Sequence, residues 1–193
     1  MPVSTTTMMV GPGVLRRAPV GTDDAAIIAA ATPTYASAWE TVGATDGGIG
    51  LTIAKSYANH SVDQAADWVA STITERHAQL EISLVEMSLS NLKISLNGGT
   101  ITTGSGTGVG GAWDKYEPAT DLIATQEEYG AFAIEGKTLS GLIRVIVIRR
   151  CLNVADVTSS FKKDEKTMLA STWAGHFVSD SIPPFVVYTQ KAA

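Results

Sequence analysis

Residues 106–111, Gly-Thr-Gly-Val-Gly-Gly, fit the spacing G-x-G-x-x-G and offer the first candidate chemistry in this chain. A phosphate-cradling loop of that pattern follows a buried strand and opens a helix, whose N-terminal N–H groups and dipole hold the anion. Here Thr100-Ile101-Thr102-Thr103 precedes the glycines and is barely apolar. After them comes Ala112-Trp113-Asp114-Lys115-Tyr116-Glu117-Pro118, where a helix would meet a proline within two turns. No lysine stands where a phosphate loop places one. The run therefore reads as a supple loop rather than a nucleotide site.

Other reactive side chains are sparse. His60, His77 and His176 form no H-E-x-x-H motif or other ligand pair, and Cys151 has no second cysteine for a disulfide or a zinc site. His60 with Asp63 is a weak acid–base or metal pair, and a solvated loop histidine is the plainer reading. Glu127-Glu128 reads as a solvated acidic pair, and no G-x-S-x-G elbow occurs. Cys151 lies between apolar residues and arginine, which predicts a buried structural thiol. The sequence thus calls for no catalytic residue, metal or cofactor.

The composition narrows the class. With 45% hydrophobic and 17% charged residues in 193, the chain has the makings of one core, and its low charge suits burial against copies of itself. Net charge is −5 and the isoelectric point about 5.1, the wrong sign for a nucleic-acid reader with a basic stripe. Residues 1–140 hold a balance of −8 and residues 141–193 one of +3, so ends of opposite sign can meet within or between subunits. Arg144, Arg149, Arg150, Lys162, Lys163 and Lys166 make up most of that basic end. The beginning lacks a secretory pattern and no apolar run approaches the roughly 20 residues of a membrane helix, which predicts cytosolic assembly without membrane insertion.

The elements that would position any site read mostly as strands. Residues 1–36, broken by Pro2, Gly11, Pro12, Gly13, Pro19 and Gly21, are expected to form an N-terminal arm. Residues 37–193 are expected to form one domain. Residues 43–48 carry turn chemistry, and residues 51–57 then alternate as a strand. A longer strand runs over 68–86, with Ala78, Leu80, Ile82 and Leu84 on one face and Gln79, Glu81 and Ser83 on the other. Residues 58–67 lie between as a polar loop, too long for a tight hairpin. Ser88 caps a helix over 88–97, with Leu89, Leu92 and Leu96 as its apolar stripe and Gly98 as its stop. Residues 98–135 are expected to be long, glycine-rich and irregular, before strands over 142–152, 167–178 and 185–189. The sum is a mainly β, sandwich- or barrel-like domain with one flanking helix.

Three segments in order carry a resemblance: GVLRRAPVGT, WETVGATDGGIGLTIAKSY and SVDQAADWVASTITERHAQLEISLVEMSLSNLKISLNGG. Together they resemble the major tail tube proteins of long-tailed, non-contractile bacteriophages. The resemblance covers residues 13–99 and continues more loosely through Tyr116-Glu117-Pro118 and GLIRVIVIRRCLNV. Residues 104–111 and 112–135 depart from the family pattern.

The resemblance implies a β-sandwich subunit, six copies of which close a ring around a continuous inner β-barrel. Rings stack helically into a virion tail tube that conducts double-stranded DNA to the host during genome ejection. It also implies assembly in the bacterial cytoplasm, with tape-measure, tail terminator and distal tail proteins as partners. Carboxylates in such a wall repel phosphates, which points to Glu81 as lumen-lining, with Glu75, Gln79 and Ser83 on the same wet face and Asp63 as a further acidic helper. Arg76, next to Glu75, opposes that sign. The alternative for Glu81 is plain solvation of an outer sheet face. Asn59, His60, Ser61, Val62, Asp63 and Gln64 are the candidate ring-stacking loop. Alternative functions are a tube or ring protein of a phage-derived injection particle and a head–tail joining or capsid decoration protein.

Overall fold

The chain is described by a computed structural model over residues 9, 11–30, 32–105, 111–119, 128–159, 161 and 163–191. Alternating and β-branched runs form ten strands: β1 Val14–Pro19, β2 Glu40–Thr41, β3 Thr45–His60, β4 Ala70–Leu84, β5 Thr100–Gly104, β6 Trp113–Glu117, β7 Gly130–Lys137, β8 Ile143–Asn153, β9 Leu169–Gly175 and β10 Phe185–Thr189. All pair antiparallel. The main sheet runs β2-β1-β7-β8-β9-β4-β3, with β10 added on β8, and β5-β6 form a separate ribbon. The sheet is open, ending at β2 and β3.

Strand β8 turns this sheet over on itself. Its first part lies between β7 and β10, whereas Cys151–Asn153 pair with β9. Leu15, Phe132, Ile134 and Ile148 thereby join Leu80, Ile82, Leu84, Leu169 and Trp173 in one buried cluster. The rings of Phe132 and Trp173 lie 4.9 Å apart and tie the two halves together. A second cluster lies on the reverse of β1, β7 and β8, where Ala18, Ala131, Ala133, Val145 and Val147 meet Ile27 and Trp39.

The expected arm is partly built into the sheet. Residues 14–19 form β1, paired with β7 from Val14↔Glu135 to Pro19↔Gly130, because the glycines and prolines bracket this run rather than interrupt it. A short 3-10 turn, Ala25–Ile28, and residues 32–39 then cover the second cluster. Arg149 secures that cover, since its Nε and Nη2 lie 3.0 and 2.9 Å from Asp24 Oδ2 and its Nη1 donates to the carbonyl of Pro183. Tyr35 donates to Glu135 at 2.9 Å, and burial raises its phenol pKa well above the ordinary value.

Residues 43–48 do not form a simple turn. Strand β3 already begins at Thr45, and Gly47 and Gly48, with φ of 74° and 86°, form a bulge against β4. The irregular region expected over 98–135 also contains regular structure: β5, β6 and the beginning of β7.

Helix α1 is Leu89–Ser95, and the Ser88 side chain accepts the Asn91 N–H at 3.1 Å as its cap. The apolar stripe is only partly used. Leu92 packs on the main core, Leu96 is exposed, and the buried positions are Asn91 and Ser95. The stop also differs: Asn97, at φ 56°, takes the left-handed position, while the N–H groups of Asn97 and Gly98 return to Ile94 and Lys93. Asn97 is chosen for its side chain. It donates to the carbonyl of Asn153 and accepts the Asn153 N–H, both at 2.8 Å. Asn153 in turn donates to the Ser95 carbonyl at 2.7 Å and accepts the Thr172 N–H at 3.0 Å.

Candidate functional site

The longest hairpin carries both groups of candidate residues. Strands β3 and β4 pair from Thr45↔Leu84 to His60↔Ala70, yet β9 accompanies β4 only from Gln79 to Leu84. Beyond Ala78 no further strand lies beside the ribbon among the described residues, and the ribbon extends roughly 25 Å at strand rise. The expected loop over 58–67 is therefore the end of a hairpin: residues 58–60 are strand and residues 61–69 form the connection. Cross-strand bonds extend the pairing to that point. Ser71 donates to Asn59 Oδ1 at 2.7 Å, His60 Nε2 meets Thr72 Oγ1 at 3.0 Å, and the Val69 N–H reaches the His60 carbonyl at 2.9 Å. Ser61, Val62, Asp63 and Gln64 lie exposed at the tip.

Period-two alternation places Glu75, Gln79, Glu81 and Ser83 on one face of β4. Their β3 neighbours are Ser56, Thr52, Gly50 and Asp46, and on the β9 side Ala174, Thr172 and Ala170 lie opposite Gln79, Glu81 and Ser83. Glu81 is exposed and accepts a hydrogen bond from Gln79 Nε2 at 3.1 Å. Glu75 lies 3.6 Å from His77 Nδ1. Arg76 alternates to the reverse face, so it does not interrupt this acidic row. Asp63 lies apart from the row, in the connection at the ribbon's tip.

Two acidic groups belong to this region that the sequence did not connect to it. Asp156 shares with Glu81, Ser83 and Thr172 an open cleft of about 280 Å³. Asp46, opposite Ser83, pairs with Lys166 at 2.8 Å, and that lysine holds its carboxyl below the ordinary range. Both contacts join segments more than 70 residues apart in sequence, and no local spacing signals them. Together these groups make a wet, hydrogen-bonded and predominantly acidic surface suited to repelling a polyanion.

The remaining candidates fall elsewhere. β5 and β6 pair from Thr100↔Glu117 to Gly104↔Trp113, so a strand rather than a helix follows the glycine run. Residues 106–110 themselves, like Glu127, lie outside the described residues. Partial desolvation favours the neutral form of the exposed Glu128, but Arg17 at 3.2 Å and Lys93 at 3.4 Å outweigh this and hold its carboxyl below the usual range. Burial pushes the Cys151 thiol up to about 12. Native protein is thus expected to resist alkylation at about pH 8 and to react once unfolded, as mass spectrometry after an iodoacetamide pulse would show. Among the described residues, no three His, Cys, Asp or Glu side chains converge to hold a metal, and no helix is long and apolar enough to cross a membrane.

No protein-family model matches this chain, and no curated protein matches it.

Proposed function

We propose that this protein is the repeating subunit of a phage tail tube, in which six copies close a ring and stacked rings conduct double-stranded DNA. The observation that carries this reading is the β3–β4 ribbon. An isolated two-stranded ribbon is marginal in water, and this one leaves the long outer edge of β3 open. It also exposes Ile53, Tyr57, Trp68, Val69 and Ile73. Such an element gains its stability when neighbouring copies supply the missing strands and cover. Closing the open sheet around a ring removes both edges at once.

The ribbon then has a division of labour. One face of it presents Glu75, Gln79, Glu81 and Ser83 to the lumen, where carboxylates keep phosphates from binding and ordered water fills the gap. Over a screening length of about 8 Å, that repulsion acts on the strand nearest the wall and leaves transit unhindered. Residues 61–67, at the far end, reach the adjacent ring. The order of segments that resembles the tail tube family supports the same reading.

Reversing the wall charge tests it. Glu81→Lys, exposed and outside the core, is expected to leave tubes intact while adding a phosphate-binding lysine per copy to the channel. Ejection of DNA from complemented particles should slow by roughly tenfold, with a steep salt dependence. Normal tubes with ejection indistinguishable from wild type would remove Glu81 from the lumen.

A further inference from the structure

The face of the ribbon opposite Glu75 and Glu81 carries a different chemistry. There the register stacks Leu51↔Leu80, Ile53↔Ala78, Lys55↔Arg76 and Tyr57↔Ile73. At the base this is the core face, with Leu80 and Ala78 buried. Farther out the domain ends and the face continues uncovered: Ile53, Tyr57 and Ile73 are 40%, 54% and 55% exposed. Lys55 and Arg76 stand directly opposite each other, exposed, and neither side chain has a hydrogen bond or ion pair among the described residues. Opposed like charges destabilise a strand pair, so this arrangement works against the isolated hairpin.

We propose that this stripe is a docking surface for a second copy of the chain, with a carboxylate-bearing surface of that copy seated over Lys55 and Arg76 and apolar side chains against Tyr57 and Ile73. The proposal deepens the ring reading and rests on its self-assembly, though not on DNA passage. Charge complementarity identifies the occupant. The chain is acidic, with 19 Asp and Glu against 14 Lys and Arg, so another copy offers the anionic partner that the opposed cations lack. Continuity with the core face explains the apolar part, since the copy extends the core where the chain's own second layer stops. A nucleic acid fits less well. Glu75 and Glu81 lie on the reverse of the same thin ribbon and repel a polyanion approaching it.

Lys55→Glu separates docking from local structure. The substitution places a carboxylate opposite Arg76, which relieves the repulsion within the hairpin. A purely local role predicts an equal or higher melting temperature and unchanged assembly. Docking predicts an equal or higher melting temperature together with a concentration for assembly raised at least about tenfold, read by sedimentation velocity and negative-stain microscopy. Arg76→Glu should behave alike, and Lys55→Arg should assemble as wild type. Assembly of both charge-reversed variants at wild-type concentrations would overturn the docking surface while leaving the ring reading intact. A wild-type chain that remains monomeric would remove both. Retardation of a short DNA duplex by wild type, lost in Lys55→Glu, would replace the second copy with nucleic acid as the occupant.

Discussion

Trp173→Ala is expected to lower the free energy of unfolding by about 3–5 kcal/mol, the usual cost of emptying a fully buried indole site. Trp173 is 1% exposed and lies on β9, opposite Leu80 of β4 and against the ring of Phe132 on β7. Its loss opens a cavity where the two halves of the sheet meet, and neither half can close it without moving its neighbours. For a domain of this size the melting temperature should fall by roughly 10 °C. Urea titration followed by far-ultraviolet circular dichroism gives the free energy. A change below about 1 kcal/mol would mean that the halves are not held together at this contact.

Asn153→Ala should rank next, at about 2–4 kcal/mol, although it removes little volume. Asn153 is 7% exposed and its carboxamide meets the Ser95 carbonyl, the Thr172 N–H and both polar groups of Ala155. Alanine leaves these groups without partners in a site too enclosed for ready hydration. It also loosens the end of α1, where the Ser95 carbonyl loses its side-chain donor, while Asn97 keeps its two bonds to the backbone of residue 153. Hydrogen exchange is the sharper reading: the Thr172 amide should lose protection together with the last turn of α1. Unchanged protection at both would show that the Asn153 carboxamide does not hold the helix.

Where one face of an element is wet, its sequence declares it. The alternation in β4 assigns Leu80, Ile82 and Leu84 to the core and Gln79, Glu81 and Ser83 to the polar face, as found. β10 spans residues 185–189 as its extended run suggests. β7 was hidden for a physical reason. It is buried on both faces, with Ala131 and Ala133 against one cluster and Phe132 and Ile134 in the other, so no polar residues alternate along most of its length. β1 was obscured by the glycines and prolines at its ends. The polar row of the candidate site was legible because one strand carries all four residues. The opposition of Lys55 and Arg76 was not, because it depends on a register set by two bulges, at Asp46/Ile49 and Ser56/Tyr57.

The two faces of the ribbon therefore divide the work proposed for this protein. In that proposal the acidic face, from Glu75 to Ser83, is turned to water, and the face of Ile53, Lys55, Tyr57 and Arg76 is turned to a neighbour. The same strands serve both purposes because successive side chains point in opposite directions. Changes on one face should affect conduction, and changes on the other should affect assembly.

Electron microscopy of the purified wild-type chain tests the central claim most directly. The account predicts rings of a single diameter, or hollow tubes built from them, as concentration rises. A chain that remains strictly monomeric at high concentration would contradict it.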